Sequence, residues 1–217
     1  MARRADGERK RALIFETALA LFRDKGFDET TMRDIAAKAE ISVGSAYHYF
    51  PSKQAIVFAY YDEQQAEHER LARGRLAKTS DLRERLGIVF HSKIEAVRKD
   101  RSLLIAIARR IPDASDPLSV FSEESRRVRE RATELFAEAL DGVDDEHREI
   151  LGKVLWALHI ASLAYLVNDS SRGQRKTREL IDGTLDLVTP LVMLAGTPAF
   201  APLLGQIDAL ARRAGLT

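Results

Sequence analysis

The sequence contains no cysteine among its 217 residues. This absence excludes a disulfide framework, a thiolate metal site and a thiol nucleophile. Residues 1–11 are rich in charge and lack the apolar segment that a secretory signal requires. We therefore expect the chain in the reducing cytoplasm, with no export and no membrane association.

The sequence also lacks a long apolar run and an excess of charge of one sign. Its longest uncharged apolar stretch, residues 154–167, includes His159 and Ser162 and is shorter than the roughly 20 residues that cross a bilayer. We interpret this stretch as a buried core helix. Because the formal net charge is only +1, any nucleic-acid surface must be local.

Motifs of catalysis and metal binding are absent from the sequence. The histidines at positions 48, 68, 91, 147 and 159 include no pair at the spacing that places two metal ligands on one helix face. There is no glycine-rich phosphate loop and no nucleophile elbow. We therefore expect no metal, no cofactor and no enzymatic activity.

Helical periodicity is what the sequence does show, and no segment has the sustained alternation of a strand. One apolar helix face comprises Ile14, Ala18, Leu21 and Phe22. That helix is predicted to end near Gly26, and Thr31 is the predicted N-cap of a short second helix. Ser42 is predicted to cap a third helix over 43–50, which Pro51 ends. Ser52 is predicted to cap a long helix over 53–75.

Further helices are predicted at roughly 82–99, 102–110, 117–140, 145–169, 175–195 and 199–213. Asp116 and Pro117 are interpreted as a helix start. Gly142, Gly173 and Gly196 are interpreted as helix ends. The predicted fold class is therefore all-α.

Residues 31–53, TMRDIAAKAEISVGSAYHYFPSK, predict a helix-turn-helix formed by 31–50. Ala46 and Phe50, with Ile41 ahead of them, form the face of the second helix that docks on the first. The opposite face is then free to enter the major groove of DNA. A packed helical corner has little use for exposed tyrosines, which favours the DNA-binding interpretation.

The free face combines small, hydroxyl-bearing and aromatic side chains. Gly44 allows the backbone to approach DNA closely, and Val43 can contact a thymine methyl group. Ser45 and His48 can form hydrogen bonds with base edges. The predicted phosphate contacts are Thr31, Tyr47, Tyr49 and Lys53. The charged residues from Arg3 to Arg11 are expected to be a solvated arm, with a contact to the minor groove or to phosphates as the alternative.

This segment resembles the tetracycline-repressor (TetR) family, whose signature reads T-x-R-D-I-A-x-x-A-G-V-S-x-G-x-x-Y-x-Y/H-F-x-S-K. The positions that match it in register are Thr31, Arg33, Asp34, Ile35, Ala36, Ala39, Ser42, Gly44, Tyr47, Tyr49, Phe50, Ser52 and Lys53. The resemblance covers about residues 10–55. Glu40 departs from it, because the family usually has glycine there, and a left-handed non-glycine residue costs about 1–2 kcal/mol.

The resemblance implies a homodimeric transcriptional regulator, with a helix-turn-helix DNA-binding domain at 1–52 and a helical effector-binding and dimerisation domain at 53–217. We expect a repressor that binds palindromic operator DNA and is released by a small-molecule effector. The predicted DNA-binding residues are Thr31, Arg33, Ser42, Val43, Gly44, Ser45, Tyr47, His48, Tyr49 and Lys53. Two alternatives remain open: a DNA-binding regulator without an effector, and a helical small-molecule-binding protein or enzyme.

The resemblance also implies an effector pocket in the C-terminal domain and a four-helix bundle made by the last two long helices of each subunit. The pocket candidates are Phe90, His91, Ile94, Ile107, Trp156 and His159, a set that suits an apolar or aromatic molecule. The predicted dimer contacts are Leu151, Leu155, Leu158, Leu187, Leu191 and Leu194.

Overall fold

The computed structural model describes residues 2–97, 100–108, 110, 113, 115–195, 197 and 200–213. These residues contain helices and turns and no strand, which confirms the predicted all-α class. The helices are α1 (Ala2–Lys25), α2 (Met32–Lys38), α3 (Val43–Tyr49), α4 (Lys53–Leu76), α5 (Leu82–Val97), α6 (Arg101–Ala108), α7 (Arg126–Ala139), α8 (Asp145–Asn168), α9 (Arg175–Ala195) and α10 (Ala201–Arg213). A 3-10 turn, Arg172–Gln174, precedes α9.

The chain divides into two compact units. Unit 1 comprises Met1–Glu63 and Lys99–Ser125, and unit 2 comprises Gln64–Arg98 and Arg126–Thr217. The boundary falls inside α4, so the division differs from the expected one at residue 52, which stays a prediction. Unit 1 therefore contains α6 and the turns that follow it, in addition to the first three helices.

Side-chain hydrogen bonds cap the N-termini of α2, α3 and α4, as predicted. Thr31 and Asp34 form a capping box, in which Thr31 Oγ1 accepts from Asp34 N (3.1 Å) and the Asp34 carboxylate accepts from Thr31 N (2.8 Å). Ser42 Oγ accepts from Ser45 N (3.1 Å) at the start of α3. Ser52 Oγ accepts from Ala55 N (3.1 Å) at the start of α4.

Two residues with positive φ make the turns between these helices. Gly26 has φ 88° immediately after α1, where glycine has no Cβ to clash. Glu40 has φ 55° between α2 and α3, which confirms the left-handed conformation predicted for this position. α1 already begins at Ala2, so the charged residues expected to be a solvated arm are helical, with Lys10 paired to Asp6 at 2.9 Å.

The core of unit 1 forms between α1, α2, α3 and the first half of α4. Its buried residues include Ile14, Phe15, Ala18, Phe22, Phe27, Ile35, Ala46, Phe50, Ile56 and Tyr60. Ala46 is fully buried and Phe50 is 2% exposed, which confirms the predicted docking face of α3. The rings of Phe15 and Phe50 stack with centroids 6.4 Å apart.

The helix predicted over 117–140 begins only at Arg126, and residues 115–125 form turns. Their side chains compete for the backbone groups that a helix would use. Ser122 Oγ donates to Pro117 O and Ser119 O, each at 2.8 Å, and Asp116 Oδ1 accepts from Leu118 N at 2.8 Å. The assignment of Asp116 and Pro117 as a helix start is therefore wrong.

In unit 2, α7 packs against α5 and α8, and α9 packs against α5 and α8. Gly152 allows α8 to approach α7 closely, because a Cβ there would lie 3.1 Å from Thr133 O. The buried Arg85 guanidinium joins two helix C-termini by donating to Leu76 O (3.0 Å), at the end of α4, and to Ala139 O (3.0 Å), at the end of α7.

Among the described residues, one segment, His147–Asn168, is long and apolar enough by composition to cross a bilayer, with a mean hydropathy of 1.7. This segment belongs to α8, which packs against α7, α9 and α10. Leu155 and Trp156 are 1% and 4% exposed, and the same helix buries His159 and Ser162. These contacts agree with the core helix that the sequence predicted.

Candidate nucleic-acid interface and effector site

α3 presents an exposed face on the side opposite its docked residues. Val43 is 37% exposed and Tyr47 is 50% exposed. Ser42, Gly44 and His48 are also exposed, whereas Ser45 and Tyr49 are half-buried. The exposed face thus consists of side chains that the helix-turn-helix does not use for its own packing, and their DNA contacts stay a prediction.

Thr31 and Arg33 lie at the start of α2, and both are exposed. The Thr31 hydroxyl donates to the Asp34 carboxylate (2.8 Å), which also pairs with Lys25 (3.3 Å). The bonds from the backbone and side chain of Thr31 lower the pKa of Asp34, with a further contribution from Lys25. The Thr31 hydroxyl already forms hydrogen bonds with Asp34. The Arg33 side chain is therefore more available than that of Thr31 for a contact with a phosphate.

Lys53 has a structural position that the sequence did not indicate. Its ammonium group donates to Phe27 O at 2.6 Å and to Asp28 O at 3.2 Å. The same group lies 4.5 Å from the centroid of the Phe27 ring, and burial lowers the pKa of Lys53. Lys53 therefore connects the start of α4 to the turn after α1. Its predicted contact with a DNA phosphate would use the same ammonium group that donates to this turn.

Two long-range ion pairs hold α6 and the following turns to the helix-turn-helix within unit 1. Arg23 Nε of α1 donates to Asp100 Oδ1 (2.9 Å), next to the start of α6. Arg110 pairs with Asp116 (2.6 Å) and also with Asp28, in the turn after α1. Sequence reasoning missed these residues, since no local pattern relates positions about 80 apart in the chain.

The effector candidates lie in different surroundings. Phe90, Ile94, Trp156 and His159 are buried in unit 2. His91 is directed elsewhere, because its Nε2 lies 2.9 Å from Asp182 Oδ1 on α9. Ile107 belongs to α6 of unit 1, and its side chain lies outside the described part of the chain.

His159 lies in an aromatic cluster of unit 2. The Phe90 and Phe136 rings contact the His159 ring edge-on at centroid distances of 5.3 and 5.5 Å. His68 stacks parallel to it at 5.8 Å. Sequence reasoning missed His68, and the available signal was its place in α4 at helical spacing from the buried residues Ala72 and Leu76.

The predicted dimer contacts divide into two groups. Leu187, Leu191 and Leu194 of α9 are 74%, 52% and 45% exposed, which suits a partner surface. In α8, Leu151 and Leu155 are only 7% and 1% exposed. These two residues pack inside the subunit, so their assignment to the dimer interface is wrong. Leu158 is half-buried and stays a prediction, and the exposed side of α8 carries Ala161, Ala164 and Tyr165.

Comparison with protein families identifies both parts of the chain. Residues 14–60 match the profile described as bacterial regulatory proteins, tetR family. Residues 85–208 match the tetracyclin repressor-like C-terminal domain. The repressor KstR of Rhodococcus jostii is 27% identical over 165 residues, which are 75% of this chain and 75% of that protein. The uncharacterized regulator YuxN of Bacillus subtilis is 47% identical over 58 residues, 25% of this chain and only 20% of that protein.

Solved structures share the fold. A putative TetR-family regulator from Syntrophomonas wolfei superposes with a TM-score of 0.69 at 20% identity, covering 83% of this chain and 95% of that one. FadR of Thermus thermophilus, a TetR-family repressor in complex with lauroyl-CoA, superposes with a TM-score of 0.63 at 26% identity, covering 86% and 94%. Because family profiles match both the helix-turn-helix and more than half of the chain beyond it, the chain belongs to the tetR family of bacterial regulatory proteins.

Proposed function

We propose that this chain is a transcriptional repressor that binds a palindromic operator as a homodimer and leaves it when a small-molecule effector binds. The observation that carries the proposal is the exposed face of α3, on a helix whose other side is fully docked. Regulators of this family bind operator DNA, dimerise and bind small-molecule effectors. The proposal places the chain in the cytoplasm, where the operator DNA lies, and gives it no enzymatic role.

DNA binding is assigned to the predicted set on α2, α3 and the start of α4. Ser45 and His48 are proposed to read base edges, while Val43 contacts a thymine methyl group. Arg33, Tyr47 and the other hydroxyl-bearing or cationic members position the protein on phosphates. Gly44 has nothing within 4 Å of the place where a Cβ would lie, so it keeps the helix surface open towards DNA.

Dimerisation is assigned to α8 and α9. Leu180, Leu187, Leu191 and Leu194 are exposed and recur at the spacing of one helix face. A continuous apolar stripe of this kind is typical of a surface that a partner covers. A two-fold dimer presents the same α3 to each half-site, which is why we propose a palindromic operator.

Release by an effector requires that the two units be coupled. α4 continues from unit 1 into unit 2 without a break in its helix. A continuous helix transmits a tilt at one end to the other, and a coupling of about 1–3 kcal/mol changes operator affinity by about 5- to 150-fold. We propose an apolar or aromatic effector, as the buried candidates of unit 2 suggest.

Selection of genomic fragments by the purified protein tests the proposal. We expect wild-type protein to enrich a small set of palindromic fragments. Val43→Glu places a carboxylate on the α3 face and should abolish the enrichment. Ala77→Glu adds the same charge at an exposed position after α4 and should not. Absence of any enriched fragment with the folded wild-type dimer would overturn the proposal.

Adding extracts of candidate metabolites to the selected complex tests the effector. We expect at least one fraction to release wild-type protein from its operator. Ala66→Gly loosens the exposed middle of α4 at a cost of about 1 kcal/mol and should weaken this release, whereas Gln54→Gly, at an exposed position in the first turn of α4, should not. A repressor that no fraction releases, and that carries no co-purified molecule, would be the constitutive alternative.

A further inference from the structure

Unit 2 contains buried polar atoms that have no hydrogen-bond partner in the part of the chain that the structure describes. They include both ring nitrogens of His159, Nδ1 of His68 and Oε1 of Gln64. Gln64 lies one turn before His68 on the same face of α4. An unpaired buried polar atom costs about 1–3 kcal/mol. Such a group therefore calls for a hydrogen-bond partner outside the protein, either a bound water or a ligand.

The rings that carry these nitrogens are buried among other aromatic rings. His159 is 3% exposed and His68 is 1% exposed. Phe90 and Phe136 contact the His159 ring, and the two imidazole rings lie parallel, with an interplanar angle of 5°. Four helices, α4, α5, α7 and α8, thus contribute a ring to one cluster whose only polar atoms are ring nitrogens. This arrangement suits a mostly hydrocarbon molecule with one small polar group.

The hydrogen bond of His68 determines what that polar group must supply. His68 Nε2 lies 2.9 Å from Val89 O. A carbonyl oxygen only accepts, so Nε2 carries the proton. In a neutral ring Nδ1 then has a free lone pair, which needs a donor. His159, when neutral, offers one N–H donor and one acceptor.

Both rings are neutral at neutral pH. Burial, with repulsion from Lys93, lowers the pKa of His68 to about 3. Burial and repulsion from His68 and Lys93 lower the pKa of His159 well below its ordinary value. Lys93 itself donates to Gln65 Oε1 at 3.3 Å, and burial lowers its pKa to about 8. Two neutral imidazoles cannot form an ion pair with an anion, and the Lys93 ammonium already donates to Gln65, so we expect an anion to be disfavoured here.

We propose that His68 and His159 bind the hydroxyl group of an uncharged, mostly apolar effector. The hydroxyl donates its proton to His68 Nδ1, and its oxygen accepts the N–H of His159. One hydroxyl thereby pairs two of the three free ring nitrogens, and Gln64 lies on the same face of α4 for a second polar group. This assignment rests on the proposed function, in which a small-molecule effector binds unit 2. It restricts the class of effector from any apolar molecule to an uncharged one that donates a hydrogen bond.

Three probes of one ring skeleton test the chemistry: 2-naphthol, naphthalene and 2-naphthoate. They are titrated into the full-length protein, with the fluorescence of the single tryptophan, Trp156, as the readout, because it lies one turn before His159 on α8. We expect 2-naphthol to bind at least about tenfold more tightly than either other probe, the size of effect that one hydrogen bond gives. In protein labelled with ¹⁵N-histidine, 2-naphthol should shift the ring signals of His68 and His159.

Variants separate the histidine contact from general apolar binding. His159→Phe should remove the preference for 2-naphthol over naphthalene while leaving naphthalene bound. It should also raise the melting temperature by a few degrees, since it replaces unpaired buried nitrogens with carbon. His68→Phe should reduce the preference. The control is His147→Gln, at the start of α8, where His147 pairs with Asp144, and it should leave the preference unchanged.

Three results would overturn the assignment. One is no binding of 2-naphthol up to its solubility limit, and another is equal affinity for all three probes. The third is preference for 2-naphthoate that Lys93→Met abolishes, which would show an anion site instead. Each of these leaves operator binding intact, so it is distinguishable from failure of the proposed function, in which wild-type protein selects no DNA.

Discussion

The two units differ in the location of the polar side chains that we propose to bind a ligand. In unit 1 the proposed DNA contacts lie on the surface, on the exposed face of α3. Of its buried or half-buried hydroxyls, Thr30 and Tyr61 donate to the backbone oxygens of Gly26 (2.7 Å) and Leu118 (2.9 Å), and Tyr60 has no hydrogen-bond partner among the described residues. In unit 2 the unpaired buried groups include a cluster of ring nitrogens, those of His68 and His159. The difference fits the two ligands that we propose, because DNA is polar and hydrated whereas an apolar molecule displaces water.

The largest effect is expected from a change in the proposed dimer interface that leaves the proposed DNA-binding and effector-binding residues unchanged. Leu191→Glu places a charge in the exposed apolar stripe of α9 and should dissociate the dimer, which weakens operator binding by more than about 100-fold because only one half-site contact remains. Size-exclusion chromatography with light scattering and an operator titration measure the two effects.

The matched control for this change is Met193→Glu. Met193 is 64% exposed and lies two residues farther along α9, on nearly the opposite side of the helix. It should remain dimeric and bind the operator. A monomeric Leu191→Glu protein that still binds the full operator tightly would contradict the assignment of the stripe.

The recognition face of α3 can be tested by a change whose effects on stability and on DNA binding have opposite signs. Gly44→Ala introduces a methyl group where the free chain has open space. It should stabilise the helix by up to about 1 kcal/mol and weaken operator binding about tenfold or more, since the methyl group occupies the space between backbone and DNA. Thermal unfolding and an operator titration of the same samples measure both. Unchanged operator affinity would show that α3 does not approach DNA at Gly44.

The parts of the molecule that the sequence predicted are those that neighbouring residues determine. The caps at Thr31 and Ser42 and the left-handed Glu40 each depend on a few adjacent positions. The helix predicted over 117–140 failed in its first third, because apolar periodicity carried no information about the serine side chains that bond the backbone there. Leu151 and Leu155 were placed on the wrong surface of α8, since periodicity finds an apolar face without saying which neighbour covers it.

Residues far apart in the chain account for what the sequence could not predict at the candidate sites. His68 and His159 are 91 positions apart, and only the tertiary fold brings their rings to a centroid distance of 5.8 Å. Arg23 meets Asp100 for the same kind of reason. No motif marks such pairs, whereas the helix-turn-helix carries its signature within about twenty residues.

The buried histidines should make the stability of unit 2 depend on pH. Their pKa values are lowered in the folded chain, to about 3 for His68, and are near 6.5 when unfolded. Between these values the unfolded chain binds more protons, so the free energy of unfolding falls as the pH drops below about 6.5. Each histidine contributes a slope of up to about 1.4 kcal/mol per pH unit.

Urea unfolding between pH 7 and pH 5 measures this dependence. Wild-type protein should lose stability over that interval, and His68→Phe and His159→Phe should each lose less. His48→Phe, at an exposed position of α3, serves as the control and should lose as much as wild type. Equal slopes for all four proteins would show that the buried rings do not resist protonation.

The smallest expected effect concerns Lys53 and Arg33, which were assigned the same role and differ in their surroundings. Lys53→Met keeps an unbranched side chain of similar size and removes the ammonium that donates to two backbone oxygens and lies over the Phe27 ring, so it should lower the free energy of unfolding by about 1 kcal/mol. Arg33→Met, at an exposed position, should leave stability unchanged. If Arg33 contacts a phosphate, its loss should reduce the salt dependence of operator binding by about 0.9 in slope for each contact, hence by about two for a dimer. Operator titrations at several salt concentrations measure this slope for both variants. A slope that falls for Lys53→Met and not for Arg33→Met would return the phosphate role to Lys53 and show that its ammonium leaves the turn after α1 when DNA binds.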